Sequence, residues 1–73
     1  MKYLIQVVTR KNGLIEYYSR VIINDKWLSV DHEGNNSDYA CRFNHLTDAL
    51  FVINSHSEKN KKIEVINFSY INR

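Results

Sequence analysis

Two short polar turns divide the first thirty residues into three apolar runs, and this spacing constrains the fold more than any other feature of the sequence. The first turn contains Asn12-Gly13 and the second contains Asn24-Asp25. These residue types tolerate the positive φ angles that tight hairpin turns require. Strands joined by such turns run antiparallel, so the chain is predicted to begin with a three-stranded meander.

The alternation of apolar side chains sets the limits of the predicted strands. Residues 3–10, 14–24 and 26–30 are rich in β-branched and aromatic types that alternate between two faces, which predicts three strands. The middle run is apolar on both faces, so we expect it to lie centrally. Residues 39–43 are predicted as a short fourth strand and residues 63–71 as the last strand.

One helix is predicted between the last two strands. Leu46, Ala49, Leu50 and Ile53 fall at i, i+3, i+4 and i+7, which places them on one stripe of a helix. Asn44 is predicted to cap the N-terminus, because its side chain can accept hydrogen bonds from the first turn. The stripe should lie across one face of the sheet.

Chain length indicates how many domains to expect, and composition indicates the cellular compartment. A chain of 73 residues can sustain one core, so residues 1–73 are predicted to form a single α+β domain. Its sheet is predicted to be small and antiparallel, in the order β-β-β-(β)-α-β, with the helix on one face. The single cysteine, Cys41, cannot form an internal disulfide. No apolar run reaches the ~20 residues of a membrane span, and no leader is recognised. We therefore expect a cytoplasmic protein without membrane contact.

The sequence contains no motif for catalysis or cofactor binding, so neither an enzyme nor a cofactor is predicted. The polar loop 31–38 carries oxygen-bearing side chains at alternate positions, as a calcium loop does. Its sixth position is Asn36 instead of glycine, and its twelfth is Arg42 instead of the glutamate that a calcium loop needs. The three histidines and Cys41 lack the paired short spacings of zinc ligands. No metal site is predicted.

Residues 15–54 resemble, in layout, the three-strand-plus-helix DNA-binding domains at the start of phage integrases. The runs IEYYSRVII and KWLSV match the strands, and Phe43, the polar segment 44–48 and Ala49 match the residues that lead into the helix. The resemblance implies a role in binding DNA. The chain departs from that layout because one predicted strand precedes the hairpin and another follows the helix.

A basic patch supports the same class of function. Lys59, Lys61 and Lys62 lie on the predicted connection between the helix and the last strand, and other cations are scattered through the hairpins. Such residues can neutralise phosphates, while exposed tyrosines can stack on bases. However, ten Lys and Arg against eight Asp and Glu leave a formal charge of only +2. DNA or RNA binding is therefore the alternative prediction.

The whole chain resembles, in size and style, the small accessory proteins with which bacteriophages inhibit host defence, anti-CRISPR proteins among them. The matching features are a short chain beginning MKYLI, a composition rich in Asn, Ile and Lys, and the lack of a cofactor signature. The resemblance implies a non-enzymatic phage inhibitor that binds and blocks a protein complex in the cytoplasm of a bacterial host. It assigns no role to any single residue.

Aromatic and arginine side chains of the hairpins are the predicted protein-binding residues, since these types dominate the binding energy of interfaces. They are Tyr17, Tyr18, Arg20 and Trp27. The alternative is that Trp27 and one tyrosine belong to the core, which in a small domain needs large apolar side chains.

The edges of an open sheet are the second predicted binding feature. Unpaired edge strands invite another strand, so a homodimer or a target strand is predicted to pair with residues 39–43 or 63–71. The alternative is that the last strand lies centrally in the sheet, in which case it offers no edge.

Overall fold

The computed structural model describes residues 2–56 and 62–69 of the chain. Its elements, in chain order, are β1 (Lys2–Thr9), β2 (Ile15–Ile23), β3 (Lys26–Val30), β4 (Asn36–Ser37), β5 (Arg42–Phe43), α1 (Leu46–Ser55) and β6 (Ile63–Ser69). The strands form one sheet in the order β4-β3-β2-β1-β6, and β5 pairs with the part of β2 that precedes its pairing with β3. The predicted α+β class is confirmed.

The sheet is mixed, which corrects the prediction of an antiparallel sheet at one pairing. The β1–β2, β2–β3, β2–β5 and β3–β4 pairs are antiparallel, whereas β6 lies parallel to β1. The chain passes through α1 before it enters β6, and such a crossover allows two strands to run in the same direction. The central position predicted for the second strand is confirmed, because β2 has neighbours on both sides.

Both predicted hairpin turns are present. In the first, the Gly13 amide donates to the Arg10 carbonyl at 2.9 Å, and Gly13 has a φ of 88° that favours glycine. In the second, Asn24 and Asp25 have φ angles of 51° and 64°. Two consecutive positive φ angles are the conformation of a hairpin turn whose twist matches that of its strands.

The segment between β3 and α1 differs most from the prediction. The expected fourth strand, residues 39–43, is reduced to β5, and β4 forms inside the expected loop. The Asp31 carboxylate Oδ1 accepts hydrogen bonds from the amides of Glu33 at 3.0 Å and Asn35 at 2.9 Å. These bonds turn the chain back on itself, so that β4 reaches β3. The Asp31 carboxylate thus stabilises the backbone of its own loop.

The helix packs on one face of the sheet, as predicted. Ala49, Val52 and Ile53 are buried against the strands, and the Ser19 hydroxyl on β2 donates to the Ala49 carbonyl at 2.6 Å. The buried core between α1 and the sheet consists of Tyr3, Ile5, Val21, Val30, Phe43, Ala49, Val52 and Ile53.

The start of the helix corrects the prediction of an Asn44 cap. The cap residue is His45, whose carbonyl accepts from the amides of Asp48 at 3.2 Å and Ala49 at 3.3 Å. No side chain caps this end. The helix begins one residue later than predicted because Phe43 is held in the sheet by its pairing with Tyr17, and two residues then connect β5 to α1.

Strand register divides the side chains between two faces. Residues paired in register point to the same face, and neighbours along a strand point to opposite faces. The core beneath α1 contains odd-numbered residues of β1, β2 and β5 and the even-numbered Val30 of β3. The opposite face, here called the open face, therefore consists of the even-numbered side chains of β1, β2, β5 and β6 and the odd-numbered side chains of β3. Among the described residues, no helix covers it, but Leu4, Val8 and Ser29 on this face are buried.

The last strand lies at an edge of the sheet, so the alternative of a central position is wrong. Within residues 2–56 and 62–69, β6 pairs with β1 and with no other strand. Val65 on its helix-bearing side is 51% exposed, because α1 packs mainly over β2, with fewer contacts to β1 and β5. In the same part of the chain, no helix is long and apolar enough to cross a membrane.

Candidate functional site: the open face of the sheet

The structure brings three of the four predicted protein-binding residues onto the open face. Tyr18 and Arg20 on β2 and Trp27 on β3 share it, because Arg20 pairs with Ser29 and Ile22 pairs with Trp27. Tyr17 lies on the other face, where it pairs with Phe43 and packs against the core. Tyr17 and Tyr18 are sequence neighbours, and neighbours on a strand cannot share a face.

The three aromatic residues on this face, Trp27, Tyr18 and Phe68, differ in exposure. Trp27 is 50% exposed, so the alternative that placed it in the core is wrong for Trp27, whereas Tyr17 does pack against the core. Tyr18 is 9% exposed and lies outside the core cluster beneath α1, and Phe68 on β6 is 40% exposed. Trp27 is therefore the most exposed aromatic residue of this face, whereas Tyr18 supports the side chains around it.

A buried carboxylate organises one end of the open face. Glu16 Oε1 accepts from Arg10 Nε at 2.7 Å and from the Tyr18 hydroxyl at 3.1 Å, and Glu16 Oε2 accepts from Arg42 Nη1 at 3.2 Å. Arg10 Nη2 also donates to the Tyr18 hydroxyl at 3.4 Å. We call Arg10, Glu16, Tyr18 and Arg42 the Glu16 cluster. It joins the end of β1 to β2 and β5.

The Glu16 cluster keeps its charges at neutral pH. The hydrogen bond from Arg10 lowers the pKa of the Glu16 carboxyl, and the bonds from Tyr18 and Arg42 act in the same direction against the opposing effect of burial. The same bond to Glu16 raises the pKa of Arg10. One ionised carboxylate thus lies between two guanidinium groups, and this group of charges has a net positive sign.

A second network immobilises the centre of the open face. Arg20 Nε donates to Gln6 Oε1 at 2.9 Å, and Arg20 Nη1 donates to Ser29 Oγ at 2.6 Å. The guanidinium carbon lies 5.3 Å from the centre of the Tyr18 ring, within the range of a cation–π contact. Burial lowers the pKa of Arg20, which stays cationic. Arg20 therefore links β1, β2 and β3 through side chains in addition to the backbone ladder.

The Glu16 cluster borders an open depression of about 550 Å³, lined by Arg10, Lys11, Asn12 and Glu16. Lys11 is exposed in the first hairpin turn, and Asn12 is held there because its Oδ1 accepts from the Leu14 amide at 3.0 Å. We call this region, together with Arg42, the cationic end of the open face. The Arg42 side chain is 57% exposed beyond its bond to Glu16.

Trp27 lies at the other end of the open face. It is in register with Ile22 and, through it, with Lys2 at the start of β1, whereas Arg10 follows the end of that strand. Eight residues at about 3.3 Å each separate Arg10 from the level of Trp27 by roughly 25 Å, whereas Arg42, which is in register with Tyr18, lies about 13 Å from that level. The surroundings of Trp27 hold two exposed ion pairs, Lys2–Glu64 at 3.2 Å and Lys26–Asp38 at 3.6 Å, so they carry little net charge.

The structure describes one of the three lysines predicted to bind nucleic acid. Lys62 is exposed immediately before β6, whereas Lys59 and Lys61 lie outside the described residues. Five cations, Lys2, Arg10, Lys11, Arg20 and Arg42, lie on or beside the open face instead. Glu16 and Glu64 on the same face offset part of this charge.

Sequence reasoning missed Glu16 and Arg42 as site residues and counted Arg10 only among the hairpin cations of the nucleic-acid alternative. Glu16 and Arg10 were detectable in principle, because a charged residue interrupts the apolar run of β2 on the same face as Tyr18 and Arg20. The register of the first hairpin then sets Glu16 opposite Val8, two positions before Arg10. Arg42 was not detectable, because its position depends on how the segment between β3 and β5 folds back.

Within residues 2–56 and 62–69, no group of three or more His, Cys, Asp or Glu side chains is placed to hold a metal ion. Comparison of the chain with protein-family models, with curated protein sequences and with solved structures finds no match. The open face itself is therefore the feature of this chain that bears on function.

Proposed function

We propose that this protein is a non-enzymatic domain that binds another protein through the open face of its sheet. The observation that carries the proposal is the half-exposed Trp27 on a sheet face that the helix leaves uncovered. Tryptophan, tyrosine and arginine are the residues that most often dominate the energy of protein interfaces. An indole held at the surface of the free protein gains the most when a partner removes it from water.

The rigidity of the face supports this function. Arg20 is fixed by Gln6, Ser29 and the Tyr18 ring, and Glu16 is fixed by two arginines. A surface whose side chains are already ordered loses less conformational entropy when a partner binds. The open face is thus organised before any partner arrives.

The state of Glu16 argues for binding and against acid–base chemistry. A general acid or base works best when its pKa lies near the operating pH. The bonds from Arg10, Tyr18 and Arg42 move the pKa of Glu16 in the opposite direction, below its ordinary value. The buried carboxylate is thereby suited to holding two guanidinium groups in place.

The size of the face suits the centre of a protein interface. Strands about 4.8 Å apart and about 3.3 Å per residue give it a flat area of roughly 500 Å² before side-chain relief is counted. Each partner in a standard interface buries about 800 Å² of accessible surface. Because Leu4, Glu16 and Ser29 on this face are at most 5% exposed, the surface that borders the face would have to contribute the rest of such an interface.

The likeness to phage counter-defence proteins suggests what such binding would achieve. We propose that the protein acts as an inhibitor, occupying a surface of a larger bacterial complex and blocking it by exclusion. This mode of action requires no catalysis and no cofactor, and it uses the one surface on which Trp27, Arg20 and the Glu16 cluster lie together.

Trp27→Ala is expected to abolish capture of the protein partner. Truncation of an anchoring tryptophan costs about 2 kcal/mol or more of binding free energy, which weakens binding by at least about thirtyfold. The measurement is a pull-down of proteins from a bacterial lysate with the tagged protein, followed by titration of the partner recovered with the wild type.

Phe51→Ala is the matched control for this experiment. Phe51 is an aromatic residue that is 74% exposed on α1, on the far side of the molecule from the open face. Its removal should leave capture unchanged. Equal binding by wild type and Trp27→Ala would refute the proposal, as would a lysate that yields nucleic acid and no protein.

Binding of DNA or RNA is the second candidate function, and the five cations on or beside the open face favour it. Against it, Arg10 and Arg42 share Glu16, and Lys2 is paired with Glu64. A phosphate backbone would have to compete with these carboxylates for the same cations. Of the three lysines predicted to bind nucleic acid, Lys62 lies in the described part of the chain. It precedes β6 and does not belong to the Glu16 cluster.

The free edge of β6 is expected to support a homodimer. Val65 is 51% and Phe68 is 40% exposed on opposite faces of this strand, and Glu64 is its single charged residue. An apolar edge with few charges is prone to pair with another strand. Light scattering at ~100 µM, above a micromolar dissociation constant, should therefore report a dimer.

Val65→Lys tests this edge directly, because a lysine on an edge strand opposes pairing. The variant should be monomeric, whereas Phe51→Lys, an equivalent change on the outer side of α1, should remain dimeric. A monomeric wild type at the same concentration would contradict the homodimer and leave only pairing with a target strand.

A further inference from the structure

We infer that the cationic end of the open face is the site at which an acidic segment of the partner docks, its carboxylates contacting Lys11 and Arg42. This inference rests on the proposed function, since it specifies the chemistry of the bound protein. It makes a claim that the pull-down with Trp27→Ala does not test, because Trp27 lies at the other end of the face.

Charge complementarity identifies the occupant. Three cations, Arg10, Lys11 and Arg42, surround the single carboxylate of Glu16. The charge sum at this end is +3 from the cations and −1 from Glu16, which leaves +2. The carboxylates of an acidic segment would neutralise this local excess.

The shape of the site allows a peptide to reach these cations. The depression of about 550 Å³ is open to solvent and is lined by Arg10, Lys11, Asn12 and Glu16. Arg42 contacts Glu16 through Nη1, and its side chain is 57% exposed. A guanidinium can bind a carboxylate through two parallel hydrogen bonds, which gives direction as well as energy.

Glu16 acts as a positioning residue in this arrangement. Without it, two guanidinium groups would repel each other, and the long Arg42 side chain would sample many rotamers. With it, Arg10 and Arg42 are each held by one carboxylate oxygen at 2.7 and 3.2 Å. The cationic site therefore exists before the acidic segment binds.

A protein segment fits this site better than a nucleic acid. Nucleic acids carry regularly spaced phosphates and are bound along a continuous basic track. On this face the largest uncompensated charge lies at one end. The guanidinium of Arg20 at the centre is already engaged by Gln6, Ser29 and the Tyr18 ring, and Lys2 and Lys26 near Trp27 are neutralised by Glu64 and Asp38. A short acidic segment followed by an apolar contact to Trp27 matches this distribution.

The experiment uses the full chain and a fluorescein-labelled octaglutamate peptide as the probe, with binding followed by fluorescence anisotropy. Binding is expected near 20 mM salt and should weaken about tenfold or more near 200 mM, because exposed charges are screened over a shorter distance. Lys11→Glu and Arg42→Gln should each weaken binding about tenfold at low salt. Thermal unfolding of each variant checks that it remains folded.

Lys62→Glu is the matched control. It makes the same change in net charge as Lys11→Glu, at an exposed lysine before β6. Compared with Lys11→Glu near 100 mM salt, where the Debye length is about 10 Å, its affinity for the probe should stay within about twofold of the wild type, because the Lys62 charge lies beyond that distance from the cationic end. Equal losses in Lys11→Glu and Lys62→Glu would indicate attraction by net charge alone and would overturn the inference.

Two further outcomes would also overturn it. The first is no binding of octaglutamate at low salt. The second is tighter binding of a labelled DNA octanucleotide with the same dependence on Lys11 and Arg42, which would assign the site to nucleic acid. If the captured partner binds through Trp27 but is indifferent to Lys11 and Arg42, the inference fails while the proposed function stands.

Discussion

Ile53→Ala is expected to lower the free energy of unfolding by about 2–5 kcal/mol, the usual cost of truncating a buried isoleucine and leaving a cavity. Ile53 has no exposed surface and is part of the core between α1 and the sheet. A domain of 73 residues has a total stability of about 4–11 kcal/mol at the usual value per residue. The variant should therefore be close to unfolding at room temperature, as urea denaturation followed by circular dichroism would measure.

Phe51→Ala again supplies the comparison, because Phe51 is two positions away on the same helix and 74% exposed. Its loss should change the free energy of unfolding by about 0.5 kcal/mol at most. Similar effects at Phe51 and Ile53 would contradict the packing of α1 described above.

Glu16→Gln is expected to cost about 2 kcal/mol at neutral pH, because the change removes charge-assisted hydrogen bonds to Arg10 and Arg42 at a buried position. The amide keeps the size of the side chain, so the loss reports charge and not volume. Glu64→Gln is the matched control. Glu64 is a carboxylate on the same face, paired with Lys2 but 47% exposed, and its replacement should cost at most about 0.5 kcal/mol.

The stabilisation that Glu16 provides should decrease at low pH. The pKa of Glu16 is lowered in the folded protein from its ordinary value of 4.5. Its contribution to stability is therefore fully present above pH 4.5 and is lost as the pH falls through the lower, folded-state pKa. The difference between wild type and Glu16→Gln should shrink over the same interval, because the wild-type carboxyl becomes protonated. A difference that stays constant from pH 7 to about pH 2 would contradict the assigned ion pairs.

These expectations give the two faces of the sheet different physical roles. The face beneath α1 stabilises the domain through apolar burial, which has no sharp dependence on pH or salt. The open face is organised by charge: Glu16 is 5% exposed and Arg20 donates to two neighbouring strands. A change of pH or salt should accordingly affect the side-chain order of the open face before it affects the core.

Much of the fold follows from local sequence. The Asn12-Gly13 and Asn24-Asp25 turns predict the first three strands within one or two residues of their observed limits. The i, i+3, i+4 pattern predicts the helix and the face it buries. Such features depend on neighbours within about seven positions, so a sequence contains all that is needed to recognise them.

The segment from residue 31 to residue 43 could not be predicted in the same way. Its two strands have two residues each and exist because β3 and β2 offer free edges to them. A two-residue strand has no periodicity of its own to detect. The parallel pairing of β6 with β1 likewise depends on which edge remains available after α1 has crossed the sheet.

The candidate site shows the same division between local and long-range information. The sequence by itself determined the residue types that a binding face would use, and alternation along β2 separated Tyr17 from Tyr18 and Arg20. Only the tertiary structure decided that Trp27 is exposed and that Arg42 reaches Glu16 from 26 residues away. The physical reason is that exposure and ion pairing are set by which strands become neighbours, and that choice depends on the packing of the whole chain and not on any segment of it.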